Sequence, residues 1–138
     1  MTTNASKRRY RISPCTVTSI PLLVLAYRMH VRANKMSRSP RRLYHKNMSI
    51  AWCTLAVVSA INHSIAPKYR PLEYFDRVLA HTVPMCHFLG YPSWIGALGG
   101  LFGLCGYHFR TRHLRNNSHS LLHQFLHVVC CLCGNMSM

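Results

Sequence analysis

The basic residues of this chain come in groups that alternate with apolar stretches, and this alternation constrains the fold most. The stretches between the groups contain no Lys or Arg. A DNA-binding module would interleave its basic residues with a soluble amphipathic helix, whereas cationic loops between apolar spans are typical of membrane proteins. The groups occupy residues 7–11, 28–46, 68–77 and 110–115.

The composition agrees with a membrane interpretation. The 138 residues carry 17 Lys and Arg but only 2 acidic residues, for a formal charge of +15, and 49% of the residues are apolar. This length suits one domain, and the apolar fraction excludes ordinary intrinsic disorder. A large positive charge alone would indicate a nucleic-acid partner, but its placement between apolar stretches predicts a membrane and no nucleic acid.

The apolar stretches predict an all-α fold, a polytopic transmembrane bundle of four to five helices. Residues 48–67 contain no Lys, Arg, Asp or Glu and approach the ~20 residues that cross a bilayer. The connection to the next stretch is short, so these two helices should form an antiparallel pair. The other stretches are residues 12–27, 71–91, 92–109 and 118–136.

The N-terminal part divides the chain into two predicted regions. Residues 1–46 are basic and acid-free, and they contain either a first membrane segment or a targeting sequence. Residues 47–138 form the predicted membrane-embedded helical domain. We expect an integral, multi-pass protein of an endomembrane such as the ER or Golgi, with the mitochondrial inner membrane as the alternative.

Closely spaced glycines mark the fourth stretch, from Gly96 to Gly106. Gly96 and Gly100, like Gly99 and Gly103, have the GxxxG spacing that lets helix backbones approach closely in lipid. This helix is therefore the predicted contact of a homo-oligomer.

Two histidine patterns stand out in the apolar stretches. Ser59 and His63 are four residues apart and share one helix face, and so do His119 and His123 in the last stretch. Two imidazoles at this spacing can bind one metal ion, although a polar seam between helices is the alternative.

The predicted topology brings these residues to one side of the membrane. Ser59 and His63 lie near the end of the second span, Asp76 near the start of the third, and His119 and His123 at the start of the last. Three imidazoles and a carboxylate at one depth match a catalytic zinc site with an open position for water.

The order of these residues resembles the signature of the CREST superfamily, and the local sequence is most similar to the alkaline ceramidases. There, S-x-x-x-H is followed by K-Y and by a Leu-containing run that ends in Asp. Here His63 is followed by Lys68-Tyr69 and by a run ending in Asp76. His119-Ser-Leu-Leu-His123 resembles the family's H-x-W-W-H without its tryptophans. The resemblance covers about residues 48–128, but the segment between Asp76 and His119 is shorter than the family's.

The resemblance implies a zinc-dependent hydrolase that acts on a lipid amide such as ceramide within the bilayer. His63, His119 and His123 would bind Zn²⁺, Asp76 would activate the water, and Ser59 would stabilise the oxyanion or the metal-bound water. The alternative is a non-catalytic small multi-pass membrane protein, receptor-like or degenerate, that binds lipid or a partner.

Overall fold

Helices make up almost all of the part of the chain that the structure, a computed structural model, describes. The described residues are 9–10, 14–17, 19–66, 69–90, 94, 97–99, 101, 105, 125, 128–129 and 131–136. The predicted all-α class is confirmed. The elements in order are β1 (Arg9–Tyr10), α1 (Pro14–Val17), α2 (Ile20–Lys35), α3 (Pro40–Ser64), β2 (Ile65–Ala66) and α4 (Arg70–Gly90).

The two strands form a single small pairing beside the helices. They run antiparallel, with Arg9 opposite Ala66 and Tyr10 opposite Ile65. Close by in sequence, the hydroxyls of Thr16 in α1 and Ser64 at the end of α3 are 3.1 Å apart. These contacts fix the N-terminal residues against the end of α3.

A serine and a proline define the start of α3. The Ser39 hydroxyl accepts a hydrogen bond from the backbone N–H of Arg42 at 3.3 Å, which satisfies one of the donors left open at a helix N-terminus. Pro40 suits the first helical position because its missing N–H would have no partner there. Only residues 36–39 separate α2 from α3, a length typical of antiparallel neighbours.

The central helix is α3, which packs against both α2 and α4. On α2 and α3 the buried residues recur at intervals of three or four positions, and on α4 at intervals of seven and four, so each helix presents one stripe to the core. Trp52 is fully buried at the centre and is the largest of these side chains. The core cluster comprises Leu22, Leu25, Ala26, Met29, Met48, Trp52, Leu55, Ala56, Val83 and Cys131.

The C-terminal residues pack back onto α2. Residues 131–136 are helical. The buried Cys131 thiol donates a hydrogen bond to the Pro21 carbonyl at 3.0 Å, and Arg28 donates to the Asn135 side-chain oxygen at 2.6 Å. Burial raises the pKa of the Cys131 thiol, which keeps it protonated and able to donate.

The helix bounds differ from the predicted spans in an informative way. The third stretch, 71–91, closely matches α4, but α3 begins at Pro40, well before residue 48, and includes Arg41, Arg42 and Lys46. Among the described residues, no helix combines the length and the apolar character required to cross a bilayer. Most of the stretches 92–109 and 118–136 lies outside the described residues.

Gly99 is the part of the glycine-rich stretch whose surroundings can be described. A Cβ at this position would lie 2.7 Å from the Cys133 Cβ, so the backbone here approaches a neighbouring segment closely. That neighbour belongs to the same chain. The homo-oligomer predicted through Gly96 to Gly106 stays a prediction.

Candidate functional site

The candidate site lies where the end of α3 meets the start of α4. Only residues 65–69 connect the two helices, so the last turns of α3 face the first turns of α4. The polar residues of this junction are Ser59, Asn62 and His63 on α3 and Asp76 on α4.

The Asp76 carboxylate is the centre of the junction. Its Oδ2 accepts a hydrogen bond from Asn62 Nδ2 at 2.8 Å and lies 4.0 Å from His63 Nε2. Asp76 and Asn62 are buried, and the His63 side chain is largely covered. A buried carboxylate is costly unless polar groups lie close to it, and Asn62 and His63 do so at Oδ2.

The second acidic residue is placed quite differently. Glu73 lies on α4 one turn before Asp76, and its carboxylate pairs with Arg77 at 2.6 Å on the exposed side of the helix. Asp76 is therefore the one buried carboxylate of a chain whose only acidic residues are Glu73 and Asp76.

Three of the five residues predicted for the site fall in this junction. Ser59 is buried on α3 one turn before His63, which agrees with the expected shared face. His63 and Asp76, predicted from different stretches, lie next to each other. His119 and His123 lie outside the described residues.

The chemistry of the junction can be tested against the needs of zinc. Zinc binds imidazole nitrogen at about 2.0–2.1 Å, and a carboxylate that takes a proton from zinc-bound water lies beside the ligands rather than among them. His63 Nε2 is 4.0 Å from Asp76 Oδ2, so the carboxylate lies next to the imidazole at a distance beyond a hydrogen bond. The donors present are of the right kind.

Two donors alone do not make a zinc centre. In the described part of the chain, no group of three or more His, Cys, Asp or Glu residues could hold a metal ion. A zinc site at this junction therefore needs ligands from outside the described residues, where His119 and His123 lie.

Asn62 belongs to the junction although it is not among the residues predicted for the site. Its amide fixes the Asp76 carboxylate, while its own Oδ1 is buried and accepts no hydrogen bond from any described group. The available signal was an Asn three residues after Ser59, on the same helix face and inside an apolar stretch.

A fully buried histidine, His87, lies elsewhere between the same two helices. The Trp52 indole N–H donates to His87 Nδ1 at 3.1 Å, and the two rings meet edge to face. Desolvation, opposed by a hydrogen bond with the Gly134 backbone, lowers the pKa of His87 to about 4. His87 is therefore a neutral packing histidine at pH 7.

Comparison of the chain with protein-family models, with curated proteins and with solved structures finds no match. The resemblance to the alkaline ceramidases thus depends on the residues themselves, of which Ser59, His63 and Asp76 have a described geometry.

Proposed function

We propose that this chain is a zinc-dependent hydrolase that acts on a lipid amide such as ceramide. The observation that carries the proposal is the buried approach of His63 Nε2 to Asp76 Oδ2 at 4.0 Å. His63, together with His119 and His123, would hold the ion. When bound, zinc would lower the pKa of a water molecule and polarise the amide carbonyl.

The chain's own residues would divide the remaining work. Asp76 has a carboxylate oriented by Asn62, which suits it to accept a proton near His63. Ser59 presents a hydroxyl on the His63 face of α3, where it would donate to a developing oxyanion. Burial of this junction would exclude bulk water and strengthen each of these interactions.

Association with a membrane is part of the proposal because the substrate is a lipid. Support comes from large apolar side chains that remain exposed on the outer faces of the helices. Ile50 and Val57 on α3 and Tyr74, Phe75 and Leu89 on α4 are examples. Extensive exposed apolar surface is typical of proteins that contact a membrane or a partner. Whether the helices cross the bilayer as four to five spans stays a prediction.

Metal analysis tests the proposal directly. The full chain, purified in an uncharged detergent, should contain about one zinc per molecule. His63→Ala and His123→Ala should each lose most of the zinc, whereas His30→Ala, which changes an exposed histidine of α2, should retain it. Zinc content that is zero, or unchanged in both site variants, would contradict the proposal.

The carboxylate variant separates binding from catalysis. Asp76→Asn keeps the shape of the side chain but removes the proton acceptor. We expect it to retain zinc while hydrolysis of ceramide to free sphingoid base falls by roughly 10²–10⁴-fold. Wild-type activity in Asp76→Asn would contradict the assigned role.

A non-catalytic protein is the second candidate, and one observation favours it. The Asn62–Asp76 hydrogen bond joins α3 to α4. A role in holding the two helices together would by itself explain why this carboxylate is buried. Zinc present without hydrolysis of any amide in a lipid panel would support this candidate.

A further inference from the structure

The outward face of α2 carries a groove with an unusual lining. Its volume is about 300 Å³, at the small end of ligand-binding pockets. The described residues that line it all come from two turns of this helix: Tyr27, Arg28, Val31, Arg32 and Lys35. Three cations, an aromatic ring and an aliphatic side chain therefore surround one open space.

No side-chain carboxylate of the chain is available to neutralise these cations. Its only two acidic residues, Glu73 and Asp76, are on α4, where Glu73 pairs with Arg77 and Asp76 is buried against Asn62. Like charges two turns apart or less on one helix repel one another. An external anion would relieve this repulsion.

The cations of the groove differ in how they are held. Arg28 is anchored by its hydrogen bond to Asn135, so its guanidinium is pre-oriented beside the groove. Arg32 and Lys35 are exposed and make no hydrogen bond or ion pair with any described residue. A phosphate group accepts several charged hydrogen bonds at once. It would therefore suit a site in which Arg32 and Lys35 are available beside the fixed Arg28.

An exposed apolar stripe leads directly into the groove. Ile20, Val24, Tyr27 and Val31 follow one another at intervals of three or four residues on the same side of α2. The first three are at least half exposed, at 55%, 51% and 68%. The opposite side of the helix already fills the core, so this stripe has no role in holding α2 to α3.

We propose that this face of α2 binds an anionic phospholipid, with the phosphate in the groove and the acyl chains along Ile20 and Val24. The order along the helix fits the membrane interface, because Ile20 and Val24 come first, then Tyr27, and the cations lie only beyond it. Arg32 and Lys35 would contact the phosphate from long aliphatic stems. This inference does not depend on the zinc site at the α3–α4 junction.

The probes are short-chain lipids added to the full chain in uncharged maltoside micelles and followed by ³¹P NMR. Didecanoylphosphatidic acid should bind at least tenfold tighter than didecanoylphosphatidylcholine. The double variant Arg32→Gln/Lys35→Gln should weaken the phosphatidic acid complex by roughly 30-fold, from about 1 kcal/mol per cation near a lipid surface.

The matched control removes the same charge elsewhere. Arg41→Gln/Arg70→Gln changes exposed cations on α3 and α4 and should alter the affinity less than about threefold, because they lie outside the described lining of the groove. The helix content of both double variants should equal that of the wild type by circular dichroism. His63→Ala should bind the lipid like the wild type, which keeps this test apart from the zinc proposal.

Several results would overturn the inference. An equal loss of phosphatidic acid affinity in the two double variants would show that the lipid responds to the net charge of the protein and not to the groove. Inorganic phosphate binding as tightly as phosphatidic acid would remove the role of the apolar stripe. A single-stranded oligonucleotide that displaces the lipid and depends on Arg32 and Lys35 would assign the groove to nucleic acid instead.

Discussion

Protonation of His87 should destabilise the fold as the pH falls. The ring is fully buried between α3 and α4, and its Nδ1 accepts the Trp52 indole N–H. A protonated imidazole carries a hydrogen on both nitrogens, so it cannot accept this bond. Protonation would place a hydrogen on His87 Nδ1 that points at the Trp52 indole N–H, and it would put a positive charge in a desolvated site.

The size of the effect follows from the pKa. Desolvation first, and His45 to a smaller extent, lower the pKa of His87 from 6.5 to about 4 despite the Gly134 backbone hydrogen bond. Above pH 6.5 the ring is neutral in both states and contributes no pH dependence. Between pH 6.5 and 4 the unfolded chain binds the proton and the folded chain does not, so the unfolding free energy falls. The loss is about 2 kcal/mol at pH 5 and about 3 kcal/mol when complete.

Urea unfolding of the full chain in maltoside micelles at pH 8 and pH 5 measures this loss. His87→Leu removes the titrating group. The unfolding free energy of this variant should therefore change between pH 8 and pH 5 by about 2 kcal/mol less than that of the wild type. It should also be less stable at pH 8, since the Trp52 N–H loses its acceptor, at a cost of about 1–3 kcal/mol. His30→Gln, at an exposed position of α2, is the control and should keep the wild-type pH dependence. A wild-type pH dependence in His87→Leu would refute the reasoning.

The remaining predictions concern single contacts, each measured as a change in urea unfolding. Ser49→Ala removes a buried 2.7 Å hydrogen bond from α3 to an α2 backbone carbonyl and should cost about 1 kcal/mol. Gly90→Ala should cost about 1–3 kcal/mol, because the new Cβ would overlap the Tyr44 ring; no loss would mean that the ring moves freely. A double-mutant cycle on Glu73 and Arg77 should give a coupling below about 1 kcal/mol that disappears at high salt, since this pair is exposed.

The sequence predicts the helical class well because apolar spacing is a local signal. The limits of α4 follow the third apolar stretch nearly to the residue, and the short link after α3 correctly indicates an antiparallel neighbour. Helix ends in basic segments were harder to predict. Arg and Lys are good helix formers, so α2 continues to Lys35 and α3 begins at Pro40, whereas hydropathy alone stops each helix at the charges.

The sequence indicated which residues meet at the junction of α3 and α4, but not how they are held. Helical spacing places Ser59 and His63 on one face, and the approach of His63 to Asp76 was expected from the order of the predicted spans. The role of Asn62 was not expected, because an amide serves a carboxylate only when the packing of two helices brings them together. The buried state of His87 likewise depends on Trp52, a residue 35 positions away.

Polar contacts recur along the whole interface of α3 and α4, and they bear on how the candidate site is held. Near one end the Tyr44 hydroxyl donates to the carbonyls of Cys86 and His87 at 2.8 and 3.1 Å, and Asn62 binds Asp76 near the other. Burial raises the pKa of Tyr44 to about 12, so its hydroxyl keeps the hydrogen that it donates.

Directional contacts of this kind fix the register of two helices more sharply than apolar packing, because a slip of one residue would leave buried polar groups unpaired. Loss of the Tyr44 hydrogen bonds should therefore weaken the packing of α3 against α4 at the opposite end, where Asn62 binds Asp76. We expect Tyr44→Phe to lower the zinc affinity of the proposed site modestly while leaving every proposed ligand in place. If zinc affinity instead stays at the wild-type value while stability falls, then the hydrogen bonds of Tyr44 serve the fold and not the proposed zinc site.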